Sequence, residues 1–161
     1  MHFAVTPIVA LVLTLGPSSG QASAVVGYDS EYAGESAFLN IAPGPSQPFQ
    51  VFFKNTGTTT WQKNTASQVN LAICRADKTT CNAFSPNADW NDGTWLSSIA
   101  YATTSQDIVN PGELGTFAYH VKMPLTAQSG TYRFNGDLAI ARTLQKIHPQ
   151  GYYQDATVAA P

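Results

Sequence analysis

The chain has 161 residues, 43% hydrophobic and 11% aromatic, enough for one domain with a sizeable core. Only 11% are charged, less than half the ~25% usual in soluble domains, so Thr, Ser, Asn and Gln must supply the polar surface. The net charge of −2, with 8 basic residues and no basic run, argues against nucleic acid as a partner, since phosphates call for clustered Lys and Arg.

Residues 1–24 resemble a secretory signal. Phe3–Leu15 is mostly apolar, and Ala22-Ser23-Ala24 has the small-x-small pattern of a peptidase site, so cleavage is expected after Ala24. The apolar run is shorter than the ~20 residues of a spanning helix. Membrane contact would come only through this segment, if it stayed uncleaved. Residues 25–34 are Tyr-rich and polar, expected as a flexible N-terminal arm or a short edge strand, and the domain proper as 35–161.

Glu35–Ile41 is expected as a first strand, closed by Pro43-Gly44-Pro45. Next, Phe49, Val51 and Phe53 alternate with Gln50, Phe52 and Lys54, which places one apolar row on one face of a strand. Asn55-Thr56-Gly57 ends it with residues that tolerate positive φ. Trp61 follows as an expected core plug.

Gln68–Arg75 alternates again, with Val69, Leu71 and Ile73 on one side. Ala83–Trp95 is irregular, and 96–101 and 105–109 are weakly patterned. Beyond the Asn110-Pro111-Gly112 turn, Leu114–Met123 carries Phe117, Tyr119, Val121 and Met123 in one row. Gly130–Ile140 carries Tyr132, Phe134, Leu138 and Ile140, and Gly151–Val158 is the last strand. About seven short strands separated by Pro, Gly and Asn, with no helical period, predict an all-β, Ig-like antiparallel β-sandwich. The Phe49 row is expected to face the Tyr119 and Phe134 rows across one core.

Cys74 and Cys81 fit an exported chain as a disulfide, whose short loop adds roughly 2–2.5 kcal/mol in the chain-entropy model. The spacing and further ligands of a zinc site are missing. No nucleophile-elbow, zincin or phosphate-loop motif is present, so the expectation is a non-catalytic protein with no cofactor. His120 falls on the strand face opposite the aromatic row, and His148 precedes Pro149 in a turn.

The run Asn87, Asp89, Asn91, Asp92 is rich in oxygen ligands. Counted back from Gly93, the first and third positions of a calcium loop are Ala88 and Trp90, so the pattern of an EF-hand is not met. Side chains bonding their own turn are the other reading. Trp90, Trp95 and Tyr101 flank this run. With Asp89 and Asp92 they are a candidate contact surface for a sugar or a protein, or else they cap the open end of the sandwich.

Asn55-Thr56-Gly57 with Trp61, then Pro111-Gly112, then Pro124, then Gly130-Thr131-Tyr132 with Phe134, occur in an order that resembles the four-tryptophan Ig-like domain of selective-autophagy cargo receptors and its bacterial relatives in exported proteins. The resemblance covers about residues 35–158. It implies a non-catalytic Ig-like module, with Asn55, Gly57, Trp61, Pro111, Gly112, Tyr132 and Phe134 as fold-defining residues. Phe134 stands where that family often has Trp. The expected role is binding or assembly at a bacterial-type cell surface or in the secreted fraction, with a protein or glycan as partner. The alternatives are self-association as a structural subunit of an extracellular filament or surface layer and, third, a carbohydrate-active enzyme.

Overall fold

The computed structural model describes residues 25–160, and the expected signal segment 1–24 lies outside them. The protein is all-β. Ten strands are β1 Ser30–Glu35, β2 Leu39–Ile41, β3 Gln47–Asn55, β4 Trp61–Gln62, β5 Val69–Cys74, β6 Ala100–Thr103, β7 Ile108–Val109, β8 Leu114–Val121, β9 Gly130–Ile140 and β10 Tyr152–Val158. One turn of 3-10 helix, Ala88–Trp90, interrupts the β5–β6 connection. Among the described residues no helix is long and apolar enough to cross a membrane.

The strands form a three-stranded sheet, β1-β3-β8, a five-stranded sheet, β2-β10-β9-β5-β6, and a small β4-β7 ribbon. Inward rows from the two larger sheets meet in one core. Phe49 of β3 touches Phe134 of β9 at 5.7 Å between ring centroids, and Phe53 touches Tyr152 of β10 at 6.1 Å. The Tyr119 row is not across the core from Phe49. β8 is the neighbour of β3, with Phe49 in register with Tyr119, so those rings lie side by side in one sheet. Strand periodicity fixes which face a residue takes, but partner choice depends on contacts distant in sequence.

The expected first strand, Glu35–Ile41, is divided between the two sheets. β1 pairs antiparallel with β3, and β2 pairs parallel with β10. The register of β1 shifts between Tyr32 and Gly34, and Gly34 has φ +132°, so a bulge bends the chain before it crosses. Ser36 then fastens the crossing. Its N–H donates to Gln50 O at 2.8 Å, and its Oγ accepts from Gln50 N at 3.0 Å. Gln154 Nε2 donates to Gln50 O at 3.1 Å and so ties β10 to β3. Residues 30–34 of the expected arm 25–34 form, with Glu35, the edge strand that was the other reading.

Of the residues expected to define the fold, Gly57 and Gly112 meet Asn55, which is fully buried. Asn55 Nδ2 donates to Thr59 O and Val109 O, its Oδ1 accepts from Gly57 N, and its carbonyl accepts from Gly112 N. Neither Asn55 nor Gly57 takes a positive φ, contrary to the expectation from Asn55-Thr56-Gly57. Gly57 is needed for another reason: an added Cβ would run into the main chain of Gly27–Asp29. Trp61 is fully buried and packs on Phe117. Tyr132, three residues into β9, donates its hydroxyl to Gln128 O at 2.9 Å.

Cys74 and Cys81 form a disulfide that closes the loop after β5. Within the loop, Asp77 accepts hydrogen bonds from Thr80 and Thr79, which hold its carboxyl down at about 2. The disulfide loop and the segment 142–151 come together on the outer side of the five-stranded sheet, where Lys146 Nζ donates to Thr79 O and Asn82 Nδ2 donates to Leu144 O.

Candidate functional site

The structure turns the expected contact surface inward. Trp90, Trp95 and Tyr101 are only 1%, 7% and 1% exposed. Trp90 lies 4.5 Å from the ring of Tyr132, and Tyr101 stacks on Tyr119 at 4.4 Å with 15° between the planes. Trp95 meets Tyr101 edge-on at 4.9 Å, and its indole N–H donates to His120 O at 2.8 Å. These aromatics cap the core, which was the other reading of the same residues. Close ring pairs give them more contact than a single exposed face would.

Two oxygen atoms of that loop, one from Asn91 and one from Asp92, are spent on its own turns. Asp92 Oδ1 accepts from Thr94 N at 3.0 Å and Thr94 Oγ1 at 2.6 Å. Asn91 Oδ1 accepts from Gly93 N and Trp95 N, and Asn87 Nδ2 donates to Arg133 O. Asp89 is exposed. Partial burial pushes the Asp92 carboxyl up, but hydrogen bonds from Thr94 and Ser46 outweigh this and leave it below its ordinary value. Among the described residues no three His, Cys, Asp or Glu side chains group as metal ligands.

Exposed aromatic surface lies elsewhere, where β1 leaves one sheet and β2 joins the other. A groove of about 240 Å³ opens there, lined by Tyr32, Glu35, Phe38, Lys78 and Tyr153, with Gly151 and Tyr152 at its base. Tyr32 and Phe38 are 41% and 46% exposed. Phe38 and Tyr153 approach to 5.6 Å, and Tyr32 is braced edge-on against Phe53 of the core at 5.8 Å. The bulge at Gly34 and the short β2 place Tyr32, Glu35 and Phe38 on one wall. Period-two alternation in β10 turns Tyr153 and Asp155 away from the core face that holds Tyr152 and Ala156. The disulfide-closed loop supplies Lys78.

Charges in the groove are balanced. Arg133 makes a two-pronged pair with Asp155, Nε to Oδ1 and a terminal nitrogen to Oδ2, both at 2.8 Å. Its guanidinium sits 3.7 Å from the centre of the Tyr153 ring, and Lys78 Nζ lies 4.6 Å from the same centre. These cations immobilise the ring. Burial raises the Glu35 carboxyl above its ordinary value. The Asp155 charge pushes the same way, and a hydrogen bond from the Tyr32 hydroxyl opposes both.

The groove was missed because its walls are far apart in the chain. The signals were present: a Tyr-rich segment, the Tyr152-Tyr153 pair, and a Lys inside the cysteine loop. The parallel β2–β10 pairing sets Phe38 beside Tyr153, while Tyr32 comes from β1 and Lys78 from the disulfide loop. His120 is half-buried on the face opposite the aromatic row, as expected. His148 pairs with Asp29 at 2.7 Å, a long-range contact the turn reading did not foresee. Burial pushes the Asp29 carboxyl up, but hydrogen bonds from His148 and the Ser30 amide outweigh it and hold it below its ordinary value.

No family model matches this chain, and no curated protein matches it. Among solved structures it is similar to one described as "AvmM Catalyzes Macrocyclization in Alchivemycin A Biosynthesis", at 10% identity and a TM-score of 0.36, covering 86% of this chain and 92% of that chain.

Proposed function

We propose that this protein is an exported, non-catalytic Ig-like module that binds a glycan in the groove between β1, β2 and β10. The observation that carries the reading is the pair of half-exposed aromatic side chains, Tyr32 and Phe38, beside a fixed Tyr153 and a balanced set of charges. Exposed rings offer flat apolar faces to a sugar ring, while Glu35 and Lys78 offer an acceptor and a donor to its hydroxyls. With Arg133 and Asp155 neutralising each other beside the groove, and one cation and one carboxylate among its lining residues, a neutral ligand suits the site better than a charged one.

The Ig-like assignment rests on strand order and two local features. Taking β1, β3 and β8 as A, B and E, and β2, β10, β9, β5 and β6 as A′, G, F, C and C′, with β4-β7 as an added ribbon, supports a reading on the two-sheet plan of Ig domains. Tyr132 near the start of β9 bonds back to the main chain of Gln128, as in the tyrosine corner of that fold. Phe49 on β3 and Phe134 on β9 touch where antibody domains place a B–F disulfide. The likeness to the four-tryptophan Ig-like family fits this plan. The Cys74–Cys81 disulfide suits an oxidising compartment and so supports secretion or display at the cell surface.

The test is binding of the purified protein to neutral oligosaccharides and wall-derived glycan fragments, measured by calorimetry beside Phe38→Ala and Tyr153→Ala. Wild type binds at least one of them, and both variants lose most of the affinity. Binding that survives both substitutions would exclude the groove, and no binding to any glycan would exclude this partner class.

A further inference from the structure

The three-stranded sheet ends on β1 at one edge and β8 at the other. An edge strand presents N–H and C=O groups through which another chain can add a strand. Here each edge is met by a glutamine. Gln106 Nε2 donates to Leu114 O at 3.2 Å, and its Oε1 accepts from Thr116 N at 3.0 Å. Gln150 Nε2 donates to Ser30 O at 2.7 Å, and its Oε1 accepts from Tyr32 N at 2.8 Å. In both cases one carboxamide spans the C=O of a residue and the N–H two residues on. Those are groups that an added strand would engage.

The two edges differ in what else covers them. On β8, Ser105 N donates to Thr116 O, Lys122 N donates to Trp90 O, and the Trp95 indole donates to His120 O. Thr116 O and His120 O stay covered without Gln106, by a loop main chain and an indole. On β1, three outward groups are met by side chains: Asp29 Oδ1 takes Ser30 N at 2.9 Å, and Gln150 takes Ser30 O and Tyr32 N. The Asp29–His148 pair tethers the segment that carries Gln150.

We propose that the β1 edge is a latent self-association surface for a second copy of this chain, held shut by the Gln150 carboxamide. The groups freed by removing it pair two-fold: with an axis through Glu31, Tyr32 of one copy meets Ser30 of the other, and each contributes the same backbone groups. The two Glu31 carboxylates then oppose each other, so the dimer strengthens as salt rises.

Sedimentation velocity over a concentration series tests this on the disulfide-intact protein. Wild type and Gln106→Ala sediment as monomers throughout. Gln150→Ala, and Gln150→Met, which keeps the length of the stem without donor or acceptor, shift to dimer over the same range and do so more at high salt. Adding Tyr32→Pro to either, which removes the outward N–H, returns the monomer. A monomeric Gln150→Met with the wild-type circular dichroism and melting profile would overturn the proposal. So would a wild type that dimerises as readily as the variants, or a variant dimer that Tyr32→Pro leaves intact.

Discussion

The loop Asn87–Trp95 and the groove beside Tyr153 are opposites. The loop has two tryptophans, two carboxylates and two asparagines within nine residues, yet its aromatics are buried and Asn91 and Asp92 turn an oxygen each to its own turns. The groove draws on residues more than a hundred positions apart, and there aromatic faces stay open. Local richness in aromatics marked a plug. An exposed site arose where the chain changes sheets, because a crossover leaves a concavity that no strand fills.

The largest effects belong to the plug. Trp90→Ala and Trp61→Ala each remove a buried indole, and thermal or urea unfolding should show losses of about 3–5 kcal/mol. A Trp90→Ala protein of wild-type stability that loses a ligand would return the loop to the role of contact surface.

Asp137 gives a pH-dependent test of the layer that carries one end of the groove. It is fully buried on β9, accepts from Leu138 N and Gly151 N, and is pushed up to about 6 by burial. Between its unfolded value near ~4 and that folded value, the native state holds a proton the unfolded chain has released. This group's contribution to stability is therefore full below pH ~4 and falls as pH rises through about 6, a loss on the order of 2–3 kcal/mol. Melting temperatures from pH 4 to 7 should show Asp137→Asn gaining on wild type as pH rises; a constant difference would contradict the buried, protonated carboxyl.

The disulfide bears on the groove through its own loop. Replacing Cys74 and Cys81 together with Ala should cost roughly 2–2.5 kcal/mol in the chain-entropy model, measured by denaturant unfolding. It should also weaken glycan binding, because Lys78 sits in the released loop. The smallest stability effect belongs to the groove: Phe38→Ala should change unfolding by about 0.5 kcal/mol or less, as at other exposed positions, while removing binding.

Much of the fold was legible where alternation was strong. Gln47–Asn55 and Leu114–Val121 follow the period of two and their inward rows are buried, whereas Gly130–Ile140 is buried on both faces from Phe134 onward. Strand partners were less so. The side-by-side placement of Phe49 and Tyr119, and the split of Glu35–Ile41 between sheets, depend on pairings across long stretches of chain. At Asn55 and Gly57 the turn is held by buried hydrogen bonds and a close main-chain approach rather than by backbone handedness, which the sequence does not display. Of the groove, single residues were visible in the sequence and their convergence was not, because register sets it.

The most direct measurement is a map of amide chemical-shift changes in the labelled protein as neutral oligosaccharides and wall-derived fragments are titrated in. Saturable changes should gather at Tyr32, Glu35, Phe38, Lys78 and Tyr153 and leave Asp89–Trp95 unmoved. Changes centred on Asp89–Trp95, with the groove silent, would contradict the placement of the site.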